Sequence, residues 1–333
     1  MSLNALFRQV ARSIRRLLTP YPRKLTAGPD EARATAALLG RPLIHEALLL
    51  GFCALMAARL LRVKRREGAR LAALAYAAPA LPYLPLIAYG CARAGDPAAE
   101  RWQRARLLYP FVLINLVFQA TKPAVEMLGR QPCDQLLLKA DRLLLGGDLG
   151  LLLDRHCPWA YHPVLAEYFS LNYSLFFICL TTSVLDANRR PLVVQISFSR
   201  GLWSLYAFGL LGYTLVPAKG PWTIFGDQYR NQIRGWFWTP LNAAVVARGT
   251  AVFDVFPSLH LAVPAFLLGW QRRFAPRWFR IWLAPMLLTW VSTIYLRYHY
   301  VVDLLAGGAL ARAMLRLARR QPGLAQERPG RSR

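Results

Sequence analysis

Long apolar stretches, broken at intervals by clusters of arginine, constrain this chain more than any other feature. In order they fall near residues 43–61, 71–92, 107–121, 168–185, 201–217, 259–270, 281–297 and 300–318. Several approach the roughly 20 residues that a helix needs to cross a bilayer. Inside hydrocarbon each backbone N–H and C=O must find a partner within the segment, which is why such stretches read as helices. Hydrophobic residues make up 55% of the sequence, and its mean hydropathy is +0.26. The expected fold class is all-α: a polytopic membrane helix bundle with interfacial helices. Length alone would suggest about two soluble domains, but contiguous spans merge the chain into one membrane domain.

The chain has 333 residues, with 42 basic against 17 acidic, a formal charge of +25. Such a balance can mean nucleic acid. Here the arginines sit between apolar runs and at both tails, as expected of loops facing anionic headgroups. The lipid bilayer is therefore the expected partner, and nucleic acid is not. Five cysteines, at 53, 91, 133, 157 and 179, contain no CxxC pair, so neither a zinc site nor a redox motif is expected. Cys133 and Cys157 share one interhelical segment; unpaired cysteines are the simpler reading, and a disulfide is the alternative.

The chain divides into a basic N-terminal tail (1–41), accessory transmembrane segments (42–104), a catalytic membrane domain (105–318) and a basic cytoplasmic tail (319–333). Residues 3–18 read either as a short interfacial helix or as a solvated basic tail. The proline-rich stretch 79–85 is expected to kink or re-enter. Segment 122–167 reads as interfacial helices, and 218–258, rich in Trp, Tyr, Gly and Pro, as headgroup-level chain. Arginines 189, 190, 200, 272, 273, 277, 280, 316, 319 and 320 mark the cytoplasmic side. Lys219, His260 and His299 then fall together on the non-cytoplasmic face. The expected location is a multi-pass integral membrane protein, in the inner membrane if the cell is bacterial. One loop conflicts: Arg62, Lys64, Arg65, Arg66 and Arg70 fall outside under strict alternation. Either an early segment does not span or this loop touches headgroups.

Two motifs carry chemistry. Phe256-Pro257-Ser258-Leu259-His260 opens one apolar run, and Tyr295-Leu296-Arg297-Tyr298-His299-Tyr300-Val301-Val302-Asp303 joins the last two. A charged group at a bilayer centre costs about 2.5–3.5 kcal/mol on insertion scales, so ionisable residues there are functional-site candidates. His299 and Asp303 are four apart, on one helical face, where a carboxylate orients an imidazole. Ser258 suits a helix start, whose N–H groups favour an anion such as phosphate. Arg297 can donate a forked pair of hydrogen bonds to phosphate oxygens. Two imidazoles, a carboxylate and a guanidinium, with no metal-ligand cluster, point to phosphoryl transfer through a covalent histidine without metal or cofactor. The competing reading is a set of buried, satisfied polar residues.

These two motifs together resemble the phosphatidic-acid-phosphatase type 2 superfamily. The inositol phosphorylceramide synthase-like branch is the most similar. The stretches Asp141–Asp148, Tyr168–Phe177 and Val216–Trp222 resemble that branch too, and the likeness covers roughly residues 105–315. The resemblance implies that His299 is the nucleophile, that Asp303 activates it, and that His260 is the general acid that then deprotonates the acceptor. Ser258 matches a phosphate-contacting position. The family's Lys–six residues–Arg-Pro motif has no clean copy; Thr121-Lys122 to Arg130-Gln131-Pro132 is a near miss. Lys219 reads as the phosphate binder or as a snorkelling interfacial lysine. The usual Ser-Arg pair ahead of the second histidine is here Ser292-Thr293, with Arg297 as the possible substitute.

Asp254, Asp148 and Trp222 are further candidates for headgroup or acceptor contacts, although a loop aspartate or a helix cap explains the acids equally well. His156 and His162 read as interfacial residues. The expected function is a lipid phosphotransferase acting on a membrane phospholipid or polyprenyl phosphate, with an alcohol as acceptor. A phosphatase, with water as acceptor, is one alternative. A non-enzymatic transporter using the same charged cluster is another.

Overall fold

A computed structural model describes residues 29–63, 68–249 and 252–320. The helix expected over 3–18, and all but the first residues of the C-terminal tail, lie outside them. The described residues form helices and connecting turns, with no strand among them. The fold is an all-α polytopic bundle.

The accessory helices are α1 (Pro29–Leu39), α2 (Ile44–Leu61), α3 (Ala69–Ala80), α4 (Tyr83–Ala92) and α5 (Glu100–Met127). The expected span over 71–92 is two helices rather than one. Prolines 79, 82 and 85 each withdraw a backbone donor, and the chain bends between α3 and α4. Tyr109 donates to the Pro79 carbonyl at 2.7 Å, occupying an acceptor next to the break. Two short helices, α6 (Asp134–Leu145) and α7 (Leu149–His156), occupy the segment read as interfacial. Then come α8 (Pro163–Arg189), α9 (Leu192–Leu215), the single turn α10 (Pro221–Ile224), α11 (Trp238–Gly249), α12 (Leu259–Phe274), α13 (Pro276–Tyr295) and α14 (Val301–Arg319).

Among the described residues four stretches are long and apolar enough to cross a membrane: Ala32–Leu61, Ala69–Ala92, Pro97–Met127 and Pro163–Arg189. The chain is a membrane protein. Helix α9 forms the axle of the bundle. It is buried almost all round, as a helix apolar on every side must be, and it packs against α2, α5, α12 and α14. Around it α8 packs on α13, and α12 lies between α13 and α14.

The bundle has two chemically distinct ends. At one end Arg104 reaches the Asn188 carbonyl, Ser197 the Ala318 carbonyl and Arg106 the Leu39 carbonyl. Most of the arginine clusters lie here. The opposite end gathers the ends of α5, α9 and α13 and the starts of α8, α12 and α14, with both motif histidines. The turn between α2 and α3 lies at this histidine end too, because a Cβ at Gly68 would sit 3.2 Å from the Met127 side chain. So α2 does cross the bundle, and Arg62 and Arg70, which flank the conflicting loop, are on the same face as the histidines.

Candidate active site

His299 sits in the tight turn from α13 to α14. Backbone bonds from Leu296, Arg297 and Tyr298 back to Ser292, Ile294 and Thr293 close α13. Arg297 takes φ +66°, a left-handed position that helices usually give to glycine. Its guanidinium offsets that cost. It donates to Asp154 at 2.9 Å and to the Asn231 carbonyl at 2.6 Å, and lies 3.7 Å above the Tyr229 ring and 4.9 Å from that of Tyr161. The side chain that was expected to grip phosphate is thus turned away from the histidines. Its charge is matched by a buried carboxylate, and its place in the turn positions His299 two residues on.

Asp303, in the first turn of α14, is fully buried. Its Oδ2 accepts from the Tyr300 N–H at 3.0 Å and lies 3.2 Å from His299 Nδ1. His299 stands two residues before α14, and the extended Tyr300 at the helix start, rather than a helical spacing of four, brings the ring to the carboxylate. A carboxylate on Nδ1 fixes a proton there and leaves Nε2 with its lone pair. Facing it, 3.3 Å away, is His260 Nδ1. The remaining nitrogen of His260, Nε2, is 2.8 Å from the Tyr173 hydroxyl.

The two histidine helices are fastened at their starts. The Ser258 N–H donates to the Asp303 carbonyl at 3.1 Å, and a Cβ at Gly307 would collide with the Ser258 carbonyl. Ser258 is fully buried, and its hydroxyl accepts from the Leu261 N–H as the cap of α12. It does not line the cavity between the histidines. That cavity is bounded by Tyr173, Lys219, Trp222, Asp254, Tyr298 and the histidines themselves. Lys219, Asp254 and Trp222 are therefore brought to His260 and His299; Arg297, Ser258 and Asp148 are not. Asp148 caps α7 by accepting from Leu151. Burial raises its carboxyl above the usual range. Burial also pushes the Tyr298 phenol up to about 12, so it stays protonated beside the cavity.

Buried carboxylates hold the loops around this cavity by their backbone. Asp134 accepts from the N–H groups of Lys219 and Gly220 at 2.9–3.0 Å and from the Tyr300 hydroxyl at 3.0 Å. Gly220 has φ +84° and approaches the Tyr298 carbonyl so closely that a Cβ would lie 2.6 Å from it. Asp141 accepts from Val301 and Val302 at the start of α14. Asp154 accepts from Arg230 and Asn231. Glu167 accepts from the N–H groups of Trp236, Phe237, Trp238 and Thr239, docking α11 onto α8. A single buried carboxylate can hold two or more orphan donors of a helix start in this way.

Asp134, Asp154, Glu167 and Tyr173 were not singled out from sequence. Their signal was an ionisable or hydroxyl-bearing residue inside an apolar pattern, and Tyr173 lies within Tyr168–Phe177. His162 caps α8 by accepting from Val164. All five cysteines are free. Among the described residues no group of three or more His, Cys, Asp or Glu side chains is placed to hold a metal ion.

A family model described as the PAP2 superfamily matches residues 135–317. No curated protein and no solved structure shows a match to the chain. The matched region takes in both histidine motifs, the cavity and three of the backbone-binding carboxylates (Asp141, Asp154 and Glu167). More than half of the sequence is covered, and the chain belongs to the PAP2 superfamily, a membrane-embedded member of a lipid phosphatase and phosphotransferase type of family.

Proposed function

We propose that the protein is a lipid phosphotransferase that passes a phosphoryl or phospho-headgroup through His299 to an alcohol, as in the inositol phosphorylceramide synthase-like branch. The observation that carries this is the line Asp303–His299–His260, with His299 Nε2 facing His260 Nδ1 across 3.3 Å. One ring is held by a carboxylate and the other is not. That division suits a nucleophile beside a general acid.

The lipid phosphate enters between the two rings. His299 Nε2 attacks phosphorus, and the P–O bond to the departing alcohol breaks. His260 gives its Nδ1 proton to the leaving oxygen. In the second step His260 Nδ1 takes the proton of the acceptor hydroxyl, whose oxygen attacks phosphorus as the N–P bond breaks. Asp303 stabilises the His299 cation formed in the first step. Lys219 supplies positive charge to the phosphoryl oxygens, and Asp254 and Trp222 line the side from which headgroup or acceptor approaches. We assign catalysis to residues 105–318 and place the histidine end on the non-cytoplasmic face, since the arginine end gathers most of the basic loops.

The test is purified protein in nanodiscs with EDTA, offered phospholipids and polyprenyl phosphates with and without acceptor alcohols, beside His299→Ala. A new phospholipid formed only when acceptor is present supports the transferase. Free phosphate without acceptor reassigns it as a phosphatase. Turnover retained by folded His299→Ala sinks the covalent mechanism.

A further inference from the structure

The reading above leaves one contact of the catalytic pair unused. Tyr173, on α8, places its hydroxyl 2.8 Å from His260 Nε2 and stacks its ring on the imidazole, with centroids 4.7 Å apart and planes 29° from parallel. Phe176, one turn along, packs against the same imidazole at 4.9 Å. The ring of His260 is therefore gripped by one face of α8, and four groups stand in line: Tyr173, His260, His299, Asp303.

The two imidazoles are oriented by different chemistry. His299 has a carboxylate on its far nitrogen, which fixes a proton there and leaves the near one with its lone pair. His260 has a neutral phenol in the corresponding place. A general acid must release its proton to the leaving oxygen, and a neutral partner stabilises the imidazolium less than a carboxylate would. A phenol oxygen accepts an N–H without adding a negative charge.

We propose that Tyr173 is a positioning residue whose hydroxyl accepts the Nε2–H of His260 through both steps, confining the working proton to Nδ1. This rests on the reading of His260 as the acid and base. In the acid form His260 carries both protons, Nε2–H to Tyr173 and Nδ1–H to the leaving oxygen. After that transfer Nε2–H is retained and Nδ1 presents a lone pair to the acceptor hydroxyl. Without the phenol the neutral ring is free to adopt the opposite tautomer, with its proton on Nδ1, and cannot act as base toward the acceptor.

The experiment combines 15N NMR of histidine-labelled protein in nanodiscs with kinetics of Tyr173→Phe, which keeps the stacked ring and removes only the oxygen. In the wild type with inorganic phosphate between the two rings, so that His260 Nδ1 no longer faces the bare His299 Nε2, the His260 signal, identified by its loss in His260→Ala, is expected to show a protonated Nε2 when the ring is neutral. In Tyr173→Phe the tautomers mix, and kcat falls about 10–100-fold, less than the 10²–10⁴ of a whole acid-base group, with KM changed less than about twofold. A wild-type ring with bare Nε2, or a Tyr173→Phe protein with unaltered tautomer and turnover, overturns the proposal. His299→Ala is assayed alongside. If it stays active the phosphohistidine reading fails, while the wild-type spectrum still decides the role of Tyr173.

Discussion

Glu46 and Asp134 are both buried carboxylates, one at each end of the bundle, and they are used in different ways. Glu46 caps its own helix by accepting from the Leu43 N–H at 2.7 Å, and in addition meets a side-chain cation: Arg106 donates to both of its oxygens at 2.6 and 2.8 Å, and neither residue is exposed. Asp134 meets the backbone of Lys219 and Gly220 and a tyrosine hydroxyl. The pattern extends beyond this pair. Arg104–Glu100 and Arg190–Asp186 are side-chain ion pairs at the arginine end. Asp141 and Glu167 bind N–H groups at the histidine end, and Asp154 does both. Pairing with a cation consumes the cation. Pairing with backbone dipoles fixes a loop and leaves Lys219 to face the cavity. The end that performs chemistry is thus built from fixed dipoles, and the end that joins the accessory helices to the rest is built from ion pairs.

The comparison breaks most readily at Glu46. Glu46→Gln leaves Arg106 as a buried, unpaired charge, and stability is expected to fall by about 3–5 kcal/mol. Turnover per folded molecule should stay constant, because the site is at the other end. Thermal melts and active-site-normalised rates in the same nanodiscs check both halves; a stable protein with lost turnover would mean that the ends are not independent. Next in size is Asp134→Ala. Releasing the Lys219–Gly220 backbone displaces the lysine proposed to bind phosphate, and misplacement of about 1 Å can cost 10²-fold, so kcat/KM should fall about 10–10²-fold. An unchanged rate would show that Lys219 is not held by this carboxylate in the working enzyme.

Arg297→Lys tests the exception at the histidine end. The charge is kept, but the planar fork and its stacking on Tyr229 are lost, and roughly a tenfold loss in kcat is expected from a looser His299. A loss of KM alone would instead restore Arg297 as a phosphate ligand. The smallest effect belongs to Glu100→Gln. Glu100 is about half exposed in its i,i+4 pair with Arg104, and such pairs contribute only about 0.3–0.5 kcal/mol. A larger shift in the melt would mean that the arginine end is more tightly coupled than its geometry shows.

The sequence was most legible where chemistry and periodicity coincide. The spacing of His299 and Asp303 paired them, and the structure puts them 3.2 Å apart, although His299 lies in the turn before α14 and not on a shared helical face. The apolar runs located the helices, with limits that miss by several residues because α5 and α8 extend past their apolar cores into polar turns. What was not legible depended on long-range contact. Arg297 looked like a phosphate ligand because it is two residues from the nucleophile, but its left-handed backbone sends the side chain to Asp154, 143 residues earlier. Asp134, Asp141 and Glu167 bind backbone segments 69–161 positions away, and no local pattern announces a partner of that kind. Tyr173 was one aromatic among 14 tyrosines until the fold set it against His260.

The contact at Gly307 has a geometric consequence. Helices α12 and α14 touch backbone to backbone where the Ser258 carbonyl fills the space that a side chain at Gly307 would need, one turn beyond Asp303. The gauge of the site, the gap between the two imidazoles, is in this sense set by a missing methyl group. A chain that restored the methyl would keep both histidines and their partners, yet hold them at a separation suited to a different span of atoms.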